Sequence, residues 1–596
     1  MTPTSRNLQL LLLSGLLFCS ATRHSLAQTN YQLSPDSQVQ PGVPQGQTLQ
    51  FDLVSKKYYP GSKSTIFVYV PAEYSPDKPA CLCVGLDGPG FLPQTVFDNL
   101  IAKKQMPVTI GVFITSGTVN KPGTNQPIRF DRCLQFDSTN DNFDRFFTEE
   151  VMPAVKEHKT ADGRAINISA DPNDHMIYGG SSGGVCAFTA AWQHPDLFRR
   201  VFSAIGTYVG MRGADMYPTL IRKTEPKPIR IFQQDGSQDT WNPLFDNWFT
   251  QNRSMEESLR FAGYDNNHSW GTLGHEGSHA QAVFPDVVKW LWRDYPAPIE
   301  AGWSGNSMLQ SVLVKGRSWT PVSGSYQSAE HLAVDDFGNL AFCSARTQLF
   351  ETNSSGSAVF FAHTPAPVTA IAFGASGRLY ASLSDGRIVW FSSHGKLTMA
   401  VAATGIVAQG LDVTDDGSIY ATEAENKNGL GSKIWLITPD GAKKLLDTGL
   451  HHASGILLTP DHNLLFVAEN STHWVYSYVV TGTGQPLQDK QRFYWLHTAE
   501  SDSDSGDGSG ATDMIDDSQG NLYVATRMGV QICDRNGRVE GILTVPSGSV
   551  SSVSFSGPKF QSLAMISGGK VFTRPLNVAG VPGFAPRTEL PPFGGG

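Results

Sequence analysis

The stretch HMIYGGSSGGVCAF, His175 to Phe188, decides how the first half of the chain is read. A short apolar run meets two glycines, two serines and two more glycines, then passes into the helix-like "VCAFTAAWQHP". A strand turning sharply into a helix is the setting in which G-x-S-x-G presents a reactive serine. Only small residues two before and two after that serine escape neighbouring backbone. The pattern fits twice: Ser181 stands between Gly179 and Gly183, and Ser182 between Gly180 and Gly184. Sterics alone do not separate them.

Around this stretch, from about residue 48 to 296, apolar runs alternate with amphipathic ones. "STIFVYVP", "ACLCVGLDG", "PVTIGVFITSG", "DHMIYGG" and "KPIRIFQQDG" read as strands. "TVFDNLIAKKQ", "NFDRFFTEEVMPAVKEH" and "DVVKWLWRDYP" read as helices, with apolar residues three and four apart. This alternation predicts an α/β domain over 48–296, a parallel sheet with helices on both faces. Residues 297–302, inside "YPAPIEAG", read as a linker.

Over 303–590 the helical period disappears. "VDDFGNLAF", "FGASGRLYA", "VTDDGSIYA", "LTPDHNLLF", "IDDSQGNLY" and "FSGPKFQSLA" repeat one phrase, a polar turn followed by an alternating strand. Phe342, Tyr380, Tyr420, Phe466, Tyr523 and Ala564 hold the same place in each phrase. A four-stranded blade takes roughly 40 residues, so six phrases predict an all-β six-bladed propeller. The longest interval holds "ESDSDSGDGSGATD", which reads as a solvated loop because its acidic spacing misses the EF-hand pattern.

The whole chain bounds the partners. Its 596 residues exceed a single core, and a formal charge of −9 with no basic run argues against nucleic acid. Arg6, the apolar "LQLLLLSGLLFC" and "SLA" before Gln28 read as a signal peptide over residues 1–27, cleaved after Ala27. A lipoprotein anchor at Cys19 is the alternative, opposed by the bulky Phe18 before it. A secreted or periplasmic location follows, and no later run is long enough to span a membrane. The remaining cysteines, Cys81, Cys83, Cys133, Cys186, Cys343 and Cys533, match no zinc spacing and read mostly as buried thiols. A disulfide from Cys81 or Cys83 to Cys133 stays open.

With "GGSSGG" followed by "HPDLF", the first half resembles the enterochelin-esterase-like branch of the α/β-hydrolases, which includes feruloyl and acetyl-xylan esterases. The resemblance implies an N-terminal α/β-hydrolase domain and centres the elbow on Ser181, because Val185 stands where a glycine would be needed for Ser182. It implies Asp239, after Gly236 in "DGSQD", as the acid, with Asp235 the competitor. It implies His275, after Gly274 and ten residues before Pro285, as the base, with His279 the competitor. Such a serine needs exactly these partners in kind: a base to take its proton and an acid to orient the base. The oxyanion hole it implies uses the backbone N–H of Ser182 and of Gly88, with Gly90 the alternative. "RCLQFD" departs from the family's R-x-x-E-Y-D at Gln135 and Phe136, which points to an altered substrate pocket.

The second half resembles the senescence-marker-protein/gluconolactonase/luciferin-regenerating propellers. That resemblance implies one divalent cation on the channel axis, yet only Glu330 matches a ligand cleanly. His331 and Leu332 replace Gly and Pro beside it, Ser454 stands at an Asn position, and Thr512 at the Asp position with Asp513 one residue away. Gln409 stands where the family has a substrate-associated Asn. No cofactor is expected, with a propeller cation kept as the alternative. Together these readings imply a serine carboxylesterase acting through an acyl-enzyme on a small-molecule or polysaccharide ester, carbohydrate-linked or of siderophore type. A metal-dependent sugar lactonase and a non-catalytic binding protein are the alternatives.

Overall fold

The computed structural model describes residues 31–392, 399–425, 431–500 and 508–592. The expected signal peptide over 1–27 lies outside them, as do residues 501–507 of the polar insertion.

The apolar runs of the first half become strands β1 (Gln47–Val54), β2 (Lys63–Val70), β3 (Cys81–Leu86), β4 (Thr109–Ile114), β5 (Thr118–Asn120) and β6 (Pro127–Phe130). They continue as β7 (His175–Gly180), β8 (Arg200–Ala204) and β9 (Arg230–Gly236), then a small ribbon of β10 (Trp241–Asn242) and β11 (Asp246–Asn247), then β12 (Asp265–Gly271). One sheet runs in the order β12-β9-β8-β7-β3-β4-β2-β5-β6, with β1 paired to β2. From β12 to β4 every neighbour is parallel. Strands β3, β4, β8 and β9 are buried along their whole length, which is why they read as unbroken apolar runs. Edge strand β1 instead alternates between half-buried and exposed residues.

Strand parity sorts side chains onto two covered faces. Cys83, Met176 and Phe202 pack under helices Pro93–Ala102 and Ser278–Leu291, against Phe97, Leu100, Phe284 and Val288. Val84, Ile177, Val201 and Ile231 face the other way, under Val185 and Phe188 of helix Ser182–Gln193 and Met255 and Leu259 of helix Trp248–Phe261. The chain leaves β3 for β4 on one side and returns as β7 on the other, so a crevice opens at the carboxyl ends of the strands. Ser181 follows β7 directly, Asp239 follows β9, and His275 follows β12.

The second half is a six-bladed propeller, each blade a four-stranded sheet. The six residues that hold the repeated phrase in register all fall on the second strand of their blades and are all buried. The phrase has a local cause: Asp335 accepts from the amides of Phe337 and Asn339, and Asp517 from those of Gln519 and Asn521, each carboxylate tying a turn between strands. The last blade takes its outer strand, Thr320–Pro321, from before the first blade, which closes the ring.

The two domains touch through charged contacts. The Glu225 carboxylate receives both arms of Arg574 at 2.7 and 2.8 Å, while its amide donates to the Ile542 carbonyl. Glu500, on the propeller's insertion, accepts from the Thr139 amide and from Arg212, both at 2.7 Å. Cys81, Cys83, Cys133, Cys186, Cys343 and Cys533 are free thiols. Among the described residues no helix is long and apolar enough to cross a membrane.

Candidate active site

Ser181 sits at the tip of the turn with φ 59° and ψ −123°, a backbone conformation costly for any residue with a side chain. The crowding is centred on it. A Cβ on Gly179 would lie 2.4 Å from the Gly183 carbonyl oxygen, and one on Gly183 would lie 3.2 Å from Leu86. At Gly180 the nearest neighbour would stand 3.6 Å away, so the pattern centred on Ser182 meets no such demand on its upstream side. The turn is held by the Ser181 amide, which donates to the Ala204 carbonyl at 2.9 Å.

Three side chains from three loops meet here. Ser181 Oγ lies 2.9 Å from His275 Nε2, and His275 Nδ1 lies 2.8 and 3.1 Å from the two oxygens of Asp239. The Asp239 carboxylate is fully buried and can only accept, so Nδ1 carries the proton and the Nε2 lone pair faces the Ser181 hydroxyl. Burial works against the Asp239 charge, but hydrogen bonds from His275 and Asp235 outweigh it and hold the carboxyl below its usual range. Asp235 goes the other way. Its burial, and then the carboxylate beside it, push its carboxyl far above the usual range, so it stays protonated. Asp235 accepts from the Gly236 amide at 2.7 Å and the Asn252 side chain at 2.9 Å, and it does not meet the imidazole.

The competing residues are engaged elsewhere. The Ser182 hydroxyl accepts from Arg132 Nη1 at 2.8 Å, and the rest of that guanidinium is forked onto Asp87 at 2.9 and 2.7 Å. His279 is buried between Gln234 and Ser269 and stacked on Tyr31, and burial pushes its imidazole toward the neutral form. The expectation for Gly88 needs correction: its amide donates to the Ile114 carbonyl at 3.0 Å, and that of Gly90 to the Gly88 carbonyl at 2.9 Å. Neither is free for an oxyanion: the Gly88 amide extends the pairing of β3 with β4, and the Gly90 amide closes a tight turn within the loop. An altered pocket is the expectation drawn from Gln135 and Phe136. Both are buried in the scaffold, Gln135 accepting from the Gly117 amide at 2.7 Å and Phe136 packing on Phe143.

Sequence reasoning missed two neighbours of Ser181. Thr207 Oγ1 lies 3.1 Å from Ser181 Oγ, and Trp248 Nε1 lies 3.2 Å from Thr207 Oγ1. No spacing rule points to "GTYVG" or "NWFT"; only the packing of a loop and a helix against the turn brings them there.

In the propeller two of the expected cation ligands, Ser454 and Asp513, are committed to the protein itself, whereas the buried Thr512 hydroxyl has no partner. Ser454 donates to the Ala511 carbonyl at 2.6 Å, and Asp513 accepts from the Ser552 hydroxyl and the Val553 amide of the next blade. His331 beside Glu330 takes a left-handed backbone with φ 54°, and burial pushes its imidazole down to about 4. Among the described residues no three of His, Cys, Asp and Glu converge as a ligand set. As bonded here, Ser454 and Asp513 do not fit a divalent cation.

Residues 58–293 match the family described as "Putative esterase", and residues 334–569 the one described as "SMP-30/Gluconolactonase/LRE-like region". No curated protein matches the sequence. Among solved structures, a gluconolactonase from Xanthomonas campestris is similar at 18% identity, over 45% of this chain and 93% of that one, with a TM-score of 0.39. The enterobactin esterase FES from Shigella flexneri is similar at 18% identity, over 44% of this chain and 62% of that one, with a TM-score of 0.33. A ferulic acid esterase is similar at 17% identity, over 42% of this chain and 99% of that one, also at 0.33. The chain therefore joins an esterase-family region to a gluconolactonase-like six-bladed propeller.

Proposed function

We propose that this is an exported serine carboxylesterase working through an acyl-enzyme, with Ser181 as nucleophile, His275 as base and then acid, and Asp239 as the orienting carboxylate. The observation that carries the reading is the continuous row from Ser181 Oγ to His275 Nε2 at 2.9 Å and from His275 Nδ1 to Asp239 at 2.8 Å. As Oγ attacks the ester carbonyl carbon, its proton passes to Nε2, and the buried Asp239 charge stabilises the imidazolium that forms. The negative carbonyl oxygen is met by the Ser182 amide at the N-terminus of helix Ser182–Gln193, whose dipole favours an anion. Arg132, its charge balanced by Asp87, holds the Ser182 hydroxyl beside that turn. When the tetrahedral adduct collapses, the alcohol leaves with the proton from Nε2. Water then attacks the acyl-enzyme, returns a proton to Nε2, and the acid is released as Ser181 regains its own.

The substrate class we propose is a carbohydrate-linked or siderophore-type ester, as the resemblance implies, with the propeller as a binding module. Two exposed apolar side chains support an aromatic or apolar group near the site: Trp241, 67% exposed and two residues after Asp239, and Leu244, 81% exposed on the same ribbon. Export is proposed from the pattern of residues 1–27. A lactonase running through a propeller cation would need Ser454 and Asp513, which are spent on other bonds, so hydrolysis is expected to survive chelators and to stop with a serine-directed phosphonate. The test is turnover of p-nitrophenyl and feruloyl esters by wild type, Ser181→Ala and Ser182→Ala. Loss in the first variant alone is expected; loss in the second alone overturns the assignment.

A further inference from the structure

Behind Ser181 lies a row of hydrogen-bonding groups whose direction can be worked out from donor chemistry. The indole Nε1–H of Trp248 only donates, so Thr207 Oγ1 at 3.2 Å is its acceptor, and the Thr207 hydroxyl hydrogen is left for another partner. The single hydrogen of Ser181 is needed toward Nε2 of His275, because Nδ1–H is committed to Asp239. The 3.1 Å contact between the two hydroxyls then has one consistent arrangement, with Thr207 donating to Ser181.

We infer that Thr207 is a positioning residue for the proposed nucleophile: its hydroxyl, oriented by Trp248, donates to Ser181 Oγ, so that every hydrogen in the row Trp248, Thr207, Ser181, His275 points toward Asp239. The inference rests on the serine-esterase reading above. The site suits the task because Thr207 is 2% and Trp248 6% exposed, so water does not compete for these hydrogens. Backbone fixes the geometry as well. The Thr207 amide donates to the Ser181 carbonyl at 3.2 Å, and the Gly206 carbonyl accepts from Asn252 at 2.8 Å. Asn252 stands on the same helix as Trp248 and also holds Asp235, so one helix sets both the hydroxyl row and the acid turn.

The consequence falls on the chemical step. As the Ser181 O–H bond breaks and Nε2–H forms, Oγ gains negative charge before its bond to the acyl carbon is complete. The Thr207 O–H bond stays intact, and its hydrogen bond strengthens with that charge. In deacylation the electron pair of the breaking acyl C–O bond returns to Oγ and meets the same donor, until Nε2 gives the proton back. Thr207 gives up no proton in either direction.

The experiment compares Thr207→Val, which keeps the shape and loses the hydroxyl, with Thr207→Ser, which keeps the hydroxyl and loses the methyl. The readout is the rate at which a fluorophosphonate forms its Oγ–P bond with loss of fluoride, located by mass spectrometry, alongside kcat/KM for p-nitrophenyl acetate. The valine variant is expected to slow both by roughly ten- to a hundredfold, the range for hydrogen bonds to charged groups. The serine variant is expected to stay within about threefold of wild type, since it restores the same donor. The pH at which labelling falls away is expected to be the same in all three, because the imidazole–carboxylate contact is untouched. A packing role predicts the opposite rescue, valine active and serine impaired, and that result overturns the inference, as does a valine variant labelled as fast as wild type. If the valine variant loses its native melting transition, Thr207→Ala against Thr207→Ser makes the same comparison. A wild-type protein that is never labelled at Ser181 sinks the esterase reading itself, a failure distinct from the others.

Discussion

Asp239→Asn keeps the shape of the acid turn and removes its charge. Oδ1 of Asp239 accepts from the Thr240 amide and from His275 Nδ1 together. In the variant the amide oxygen takes that place, and its NH2 donates to Asp235, whose own hydrogen must turn away. The histidine therefore keeps the tautomer that leaves Nε2 free, and the main loss is the charge. With Nδ1 at 2.8 and 3.1 Å from the two carboxylate oxygens, the imidazolium and carboxylate charge centres stand about 4 Å apart, worth about 4 kcal/mol at an effective dielectric constant near 20. At 1.36 kcal/mol per tenfold, kcat should fall by roughly a thousandfold. KM should hardly move, since the imidazolium exists only in the transition state. Asp239→Ala should cost more, because nothing then holds the tautomer. The assay is steady-state hydrolysis of p-nitrophenyl acetate by the three proteins and by Asp235→Asn. A kcat for Asp239→Asn above a tenth of wild type refutes the reasoning, as does an Asp235→Asn variant damaged more than Asp239→Asn.

Three further outcomes follow from the same geometry. Asp235 keeps its proton in the fold far above the pH, about 3.9, at which an unfolded chain releases it, so its contribution to stability declines as pH rises above that value. Asp235→Asn removes this slope: relative to wild type it should gain stability between pH 4.5 and 7.5 in urea unfolding, and an unchanged difference would count against a protonated Asp235. Trp241→Ala should raise KM for a feruloyl ester by roughly three- to tenfold, as expected for losing one aromatic contact, and by less for an acetyl ester; equal changes would remove Trp241 from the substrate path. Arg574→Ala leaves the largely buried Glu225 carboxylate without its forked partner and should destabilise the domain junction by about 3–5 kcal/mol, read as a shifted unfolding midpoint; an unshifted midpoint would mean that water replaces the guanidinium.

The fold was legible because burial along a strand or helix has a period written into consecutive residues. "CLCVGL" is apolar at every position since β3 is covered on both faces, and the repeated polar turn of the second half marks one blade each because a single aspartate closes it locally. The choice between neighbours was not legible in this way. Ser181 and Ser182 have the same glycine spacing, and what separates them is that a Cβ on Gly179 would strike the Gly183 carbonyl while Ser182 points at Arg132. Gly88 failed as a donor because its amide was already taken by a strand that the motif does not mention.

Periodicity and composition were enough to establish two domains, their layer architecture and the number of blades, and the family resemblance pointed to the three loops at the carboxyl edge of the sheet. The packed structure brought together the hydroxyl and imidazole, 94 residues apart, that the resemblance had singled out, and it alone decided that Thr207 and Trp248 stand behind the serine. The reason is one of range. Burial patterns repeat within a single element, whereas a hydrogen-bond partner is set by where separate loops come to rest at the edge of a sheet.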